Sequence, residues 1–219
     1  MKNKQLHQNI GVQVDGSSPT FTKLMALEAL RMANIPDPLI CVADIGGGYG
    51  ELSVLLSSRS KEVWLVDYSP PSPGSLPTNV KTMQSDLNHP WELPDCKFDF
   101  TFSLECIEHV ENPRHFVREI ARITKSSGYI FISTPNNHSL ASKLTFLLLG
   151  QHRLFQKYSY PAHITPLLKC DFERMAREVG LKVVGWVYSN TDTMPKLHIA
   201  LNLPGSAFSV SLGVLLQKL

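Results

Sequence analysis

A short apolar run that stops at a cluster of glycines constrains this chain more than any other feature. Residues 39–45, LICVADI, show no polar alternation, as expected of a strand covered on both faces. The run breaks into GGGYG and then into ELSVLLSS, which has the pattern of a helix. EVWLVD (62–67) predicts a second strand, VKTMQSD (80–86) a weaker third, FDFTFSLE (98–105) a fourth and GYIFISTP (128–135) a fifth. NPRHFVREIARITK (112–125) is amphipathic, with Phe116, Ile120 and Ile123 on one side. Strands alternating with helices predict an α/β three-layer sandwich with parallel strands joined by right-handed crossovers. Ligands of such sheets bind beyond the carboxyl ends of the strands, where strand order reverses. The loops after residues 45, 67, 86, 104 and 135 are therefore the expected site.

The flanks are less regular. Residues 1–19 are polar and predict an arm, and TFTKLMALEALRMAN (20–34) predicts a helix ended by IPDP. Within 136–166, the helix-like SLASKLTFLLL precedes a basic, aromatic stretch, GQHRLFQKYSYPAHITP. LLKCDFERMAREVGL (167–181) predicts a helix closed by Gly180, and KVVGWVY (182–188) a sixth strand. A seventh, antiparallel strand is expected from KLHIAL (196–201) or FSVSLGVLLQ (208–217), and the later segment is preferred. The chain divides into an arm and helix (1–35), a core (36–136), an insertion (137–166) and a C-terminal helix and hairpin (167–219), all within one domain. Should 189–219 fail to complete the sheet, a homodimer would be expected to cover the open edge.

At ~150 residues per domain, 219 residues also point to one domain with additions. Hydrophobic residues at 43% supply a core and exclude a disordered chain. With 21 Lys and Arg against 19 Asp and Glu, bulk charge does not hold this chain to nucleic acid, and no nucleic-acid partner is expected. Cys41, Cys96, Cys106 and Cys170 have no CxxC spacing and read as apolar residues in a reducing compartment. MKNKQLHQNIGVQ lacks an apolar signal region, and Leu144–Leu149 is far shorter than the ~20 residues a membrane span needs. A cytoplasmic location is the resulting expectation.

In DIGGGYG (44–50), glycines let the chain turn tightly and let a ligand approach the backbone. Asp67 ends the next strand 21 residues after Gly46, where a carboxylate can accept both ribose hydroxyls. Together these features point to a nucleoside-bearing cofactor. The third glycine comes one residue early for a dinucleotide fingerprint, and Asp44 would oppose a pyrophosphate while suiting an ammonium group.

The pattern Asp-x-Gly-x-Gly-x-Gly resembles motif I of the class I S-adenosylmethionine-dependent methyltransferases. LVDYS (65–69) resembles the acidic ribose-binding strand end, SDL (85–87) the adenine loop, and residues 98–136 and 163–181 the later blocks of the ubiquinone-biosynthesis-type branch. The resemblance implies a Rossmann-like, seven-stranded fold and S-adenosylmethionine as cofactor. It places Gly46, Gly48 and Gly50 along the methionine part and Asp44 near its amino group. It puts Asp67 on the ribose, Tyr68 against the adenine, Asp86 and Leu87 at its edge, and Ser103 and Leu104 beside the cofactor. The Pro-rich stretch after Asp67 departs from the family, as does Gly47, where Cys, Ala or Thr is common.

Methyl transfer from a sulfonium needs orientation above all, and a base when the acceptor is a hydroxyl. His163, in YPAHITP, resembles a histidine of glycan-biosynthesis methyltransferases and is a candidate base or acceptor contact beside a structural reading. His109 is a second candidate, set against a role in bonding backbone, and Glu105 and Glu108 share that ambiguity. The 151–160 stretch suits a sugar or anionic substrate, or is an ordinary loop. SKLTFLLLG (142–150) reads as a helix packed on the sheet edge, the alternative being a lid or peripheral contact with a lipid-linked acceptor. Trp64 and Trp186 read as core, and Trp91 either shields the adenine or simply packs. No His/Cys/Asp cluster has metal-ligand spacing, so no metal is expected. The expected activity is methyl transfer to a small-molecule or glycan acceptor, at oxygen. A quinone precursor, a nitrogen acceptor, a non-catalytic cofactor-binding subunit and a nicotinamide-dependent oxidoreductase are the alternatives.

Overall fold

The computed structural model describes residues 20–189, 192–193, 200–201 and 205–219. The expected arm at 1–19 lies outside them. The elements in chain order are α1 (Thr20–Ala33), β1 (Leu39–Ile45), α2 (Glu51–Ser57), β2 (Ser60–Asp67), β3 (Val80–Gln84), β4 (Phe98–Ser103), α3 (Pro113–Ile123), β5 (Thr124–Pro135), α4 (Leu140–Leu149), α5 (Lys169–Glu178), β6 (Leu181–Tyr188), β7 (Asp192–Thr193), β8 (Ala200–Leu201) and β9 (Ser211–Lys218).

Seven strands form one sheet in the order β3-β2-β1-β4-β5-β9-β6. The first five are parallel, and β9 runs antiparallel between β5 and β6. The seventh strand is thus the later candidate segment, and it joins β6 to the rest of the sheet. Residues 200–201 of the rival segment pair instead with β7 in a separate ribbon, and 196–199 lie outside the described residues. Strand order reverses between β1 and β4, where the crossovers leave toward opposite sides of the sheet.

Side chains along β1 divide between two cores because alternate residues of a strand face opposite sides. Cys41, Ala43 and Ile45 join α3 and α5 through Phe116, Ile120 and Phe172. Val42 joins α1 and α2 through Met25, Leu52 and Leu56. The continuous apolar run of β1 is therefore used on both faces. The start of α3 is capped by Asn112, whose side chain accepts from the His115 amide at 3.0 Å, and Pro113 occupies the first turn. At its far end, Lys218 Nζ from β9 donates to Ala121 O and Thr124 O, each at 2.7 Å. Those carbonyls have no onward helical partners, so the ammonium ties the last strand to the helix end.

Three aromatic positions resolve. Trp91 packs edge-on against Phe116 in the core and is 4% exposed. Trp64 and Trp186 are only half-buried, with Lys97 Nζ 3.7 Å from the Trp64 ring centroid and Lys169 Nζ 4.9 Å from that of Trp186. Cys41 and Cys106 are buried, Cys96 is exposed, Cys170 is half-buried, and all four are free thiols.

Candidate active site

The parallel strands end in register, so their loops gather at one edge. Gly46 N donates to Val66 O at 2.7 Å, and Ser85 N to Asp67 O at 2.9 Å. Gly46 and Gly50 take φ of 72° and 81°, the left-handed region where a side chain is strained. Gly46 is also closely approached: an added Cβ would lie 2.4 Å from Cys106 Sγ and 3.8 Å from Leu87 Cδ1. The loops after β1, β3 and β4 therefore touch one another at this glycine.

Two carboxylates flank the loop in unlike settings. Asp67 Oδ2 accepts the Gly48 amide at 2.9 Å and Oδ1 accepts the Ser69 amide at 2.9 Å, at the open end of β2. Asp44 is buried and accepts from Ser53 Oγ at 2.7 Å. Burial pushes its carboxyl up to about 6, against the hydroxyl's opposing pull, and the nearby Asp67 charge adds to the rise. Ser53 escaped the sequence reading, since a serine one turn into a helix carries no signal until the fold brings it under Asp44.

The remaining expected residues gather around the same edge. Asp86 Oδ1 accepts the Asn88 amide at 3.0 Å. Leu87 and Leu104 are buried, and Ser103 ends β4 fully buried. Tyr68 is exposed beside Asp67.

Beyond β4 lies an acidic and imidazole cluster. Glu105 has φ 48°, and its amide donates to Ser133 O at 3.1 Å. A non-glycine residue held in this region marks a backbone constrained by its surroundings. Glu105 Oε1 accepts from Ser133 Oγ at 2.9 Å, and burial followed by the neighbouring Glu108 raises its carboxyl well above the usual range. Glu108 is fully buried, and burial pushes its carboxyl up to about 8. His109 Nδ1 meets Ala162 O at 2.8 Å. Its ring packs edge-on against His163, with centroids 4.9 Å apart, and His163 Nδ1 meets Leu154 O at 2.7 Å. Burial lowers both imidazoles, so the neutral rings are favoured.

The 137–166 segment covers this side of the edge. Asn137 Nδ2 donates to Leu167 O at 3.0 Å, and Asn136 Nδ2 donates to Ser206 O at 2.7 Å. A hollow between them is lined by Asn136, Asn137, Ser142 and Arg153. The expectation that α4 packs on the sheet edge fails: Leu147 and Leu148 are 79% and 77% exposed, and Ser142 is its one buried residue. The helix is held by Ser139, which caps it, and by His152, whose Nδ1 lies 3.1 Å from Ser142 Oγ. These polar anchors fix its first turn without burying its leucines. Among the described residues, no helix is long and apolar enough to cross a membrane.

Comparison with known proteins agrees with this geometry. A family model described as "Methyltransferase domain" matches residues 20–185. A Mycobacterium tuberculosis protein named "Probable S-adenosylmethionine-dependent methyltransferase" is 34% identical over 97 residues, covering 43% of this chain and 34% of that protein. The Ubiquinone biosynthesis O-methyltransferase of Azoarcus sp. is 28% identical over 157 residues, covering 65% of this chain and 64% of its own. The matches thus take in about a third of the mycobacterial relative and just under two-thirds of the Azoarcus one. In fold, the chain is similar to a crystal structure of a SAM-dependent methyltransferase from Archaeoglobus fulgidus, with TM-score 0.63 and 18% identity over 90% of this chain and 94% of that one. The chain belongs to the methyltransferase domain family and has the Rossmann-like fold of the class I S-adenosylmethionine-dependent methyltransferases.

Proposed function

We propose that the chain binds S-adenosylmethionine at the β1–β2–β4 edge and transfers its methyl group to an oxygen of a small-molecule or glycan acceptor. The observation that carries this reading is the pair of carboxylates around the glycine loop. Asp67 stands where a ribose diol needs two acceptors, and buried Asp44 suits an ammonium group where a pyrophosphate would be repelled. In this reading Gly46, Gly48 and Gly50 lie along the methionine part. Tyr68 covers the adenine, Asp86 and Leu87 meet its edge, and Ser103 and Leu104 line the cofactor.

The acceptor enters from the side of His109, His163 and the 137–166 segment. The sulfonium already activates the methyl group, so positioning supplies most of the acceleration. A neutral imidazole nearby is suited to taking a hydroxyl proton as the methyl–oxygen bond forms. Oxygen as the acceptor atom is supported by the relatives named for ubiquinone O-methylation, and a phenolic quinone precursor is the second reading for that reason. The exposed leucines of α4 suit an acceptor with an apolar part, such as a lipid-linked one.

Calorimetric titration of S-adenosylhomocysteine tests the cofactor. Binding by the wild type and its loss in Asp67→Ala supports the reading, whereas binding of NAD in its place overturns it. Labelled S-adenosylmethionine offered with sugars and phenols then separates glycan from quinone-type acceptors. Cofactor binding without transfer to any acceptor would favour a non-catalytic subunit.

A further inference from the structure

We infer that Ser53 is a positioning residue for the cofactor: its hydroxyl fixes the Asp44 carboxylate in the room left free by Gly47, in the pose that meets the methionine ammonium. That pose rests on the cofactor reading proposed above. The contact between the three residues does not.

The three residues interlock. Asp44 lies near the end of β1, Gly47 in the loop and Ser53 in α2. Ser53 Oγ donates to Asp44 Oδ2 at 2.7 Å, and both residues are buried, Ser53 completely. A Cβ on residue 47 would lie 2.8 Å from that same Oδ2 and 3.0 Å from Leu65 Cγ. In a close-packed interior neither neighbour has slack, so a side chain at 47 displaces the carboxylate from the hydroxyl. The loop is tied down as well. Gly46 N and Gly47 N donate to Val66 O at 2.7 and 3.4 Å, and Gly50 N donates to Gly47 O at 2.9 Å. Gly46, Gly48 and Gly50 have positive φ, whereas Gly47 does not. Glycine at 47 is therefore demanded by the room for Asp44 and not by the backbone of the turn.

A carboxylate shut away from water ionises at a cost, and a donor to the charged form offsets part of it. Burial raises the Asp44 carboxyl, the Ser53 hydroxyl pulls it back, the Asp67 charge raises it and the Ser53 amide lowers it. The Cys106 thiol beyond β4 also feels Asp44, and burial holds that thiol far above its usual range, so it carries no charge. An ionised Asp44 pairs with an ammonium, and a protonated one does not. Without the hydroxyl, the carboxyl rises further from about 6, and Asp44 is protonated where the wild type is ionised.

The test follows S-adenosylhomocysteine affinity of the whole chain by calorimetry from pH 5.5 to 8. The control ligand is 5′-methylthioadenosine, which lacks the amino acid. Wild-type affinity for S-adenosylhomocysteine is expected to fall as pH drops through 6, with methylthioadenosine affinity flat. Ser53→Ala should move that midpoint up by about one pH unit, a loss of roughly 5-fold at pH 6 that nearly closes at pH 8. Gly47→Ala keeps the hydroxyl but takes its partner's place, so it should weaken S-adenosylhomocysteine and leave methylthioadenosine unchanged. Adding Ser53→Ala to Gly47→Ala should cost nothing more, because both changes break one contact. Should Ser53→Ala fail to fold, Gly47→Ala alone tests the contact. A wild-type profile in either single variant, a loss equal at every pH in Ser53→Ala, or a loss shared by methylthioadenosine would overturn the role of Ser53 and leave the cofactor reading standing. Failure of the wild type to bind S-adenosylhomocysteine would overturn both.

Discussion

The Gly48 amide donates to Asp67 Oδ2 at 2.9 Å, so the acid that ends β2 also holds the glycine loop that follows β1. Oδ2 thereby orders the loop and Oδ1 accepts the Ser69 amide, and in the proposed reading the remaining lone pairs take the ribose hydroxyls. Asp67→Ala removes both contributions. Hydrogen bonds to a charged group are worth ~1.5–3 kcal/mol, so S-adenosylhomocysteine affinity is expected to fall roughly 10- to 150-fold. Calorimetry of the folded variant checks this, and an affinity within twofold of wild type would remove Asp67 from the site.

Asp44 predicts a pH dependence. Its carboxyl titrates near 3.8 when unfolded and at about 6 when folded, so the native state resists its ionisation. Stability contributed by this group is complete below pH 4 and is lost as pH rises through 6. The loss is on the order of 3 kcal/mol. Asp44→Asn should flatten urea-measured stability over that window and be the more stable protein at pH 7. Should Asp44 hold the cofactor's ammonium, wild-type affinity falls as pH drops through 6 and the variant's does not.

Gly46→Ala should cost about 2–4 kcal/mol, from left-handed backbone strain and from the 2.4 Å approach of Cys106 Sγ. Denaturant titration in a Cys106→Ala background should recover part of that loss. Full additivity of the two substitutions would show that the contact is not the cause.

Lys218→Met removes the ammonium that bonds Ala121 O and Thr124 O. One to two uncompensated carbonyls predict a fall in Tm of roughly 2–8 °C. These atoms lie at the opposite end of the strands from the glycine loop, so S-adenosylhomocysteine affinity should stay at the wild-type value.

Leu147 and Leu148 of α4 carry no core packing. Leu147→Glu with Leu148→Glu should change stability by less than ~0.5 kcal/mol, against ~2–5 kcal/mol for Leu52→Ala in the α2 core. A large loss in the double variant would mean that this face is covered in the native protein.

The sheet was legible in the sequence because its signals are local. An apolar run, a glycine turn and an acid at the next strand end depend on neighbours in the chain, and they located β1, β2 and the loop between them. The resemblance to a known family extended that reading to Asp86, Leu87, Ser103 and Leu104. Tertiary structure decided what depends on distant residues. It chose Ser211–Lys218 over the earlier segment because only that strand fills the gap between β5 and β6. It left α4 with its leucines outward, although composition pointed inward, and polar anchors from Ser139 and His152 hold the helix by its first turn. It also placed His163 beside His109 and Glu108 through backbone hydrogen bonds to Glu108 O. Local pattern fixes which elements form, since propensity and periodicity act over a few residues. Which side chains meet at the site is set by packing between segments far apart in the chain.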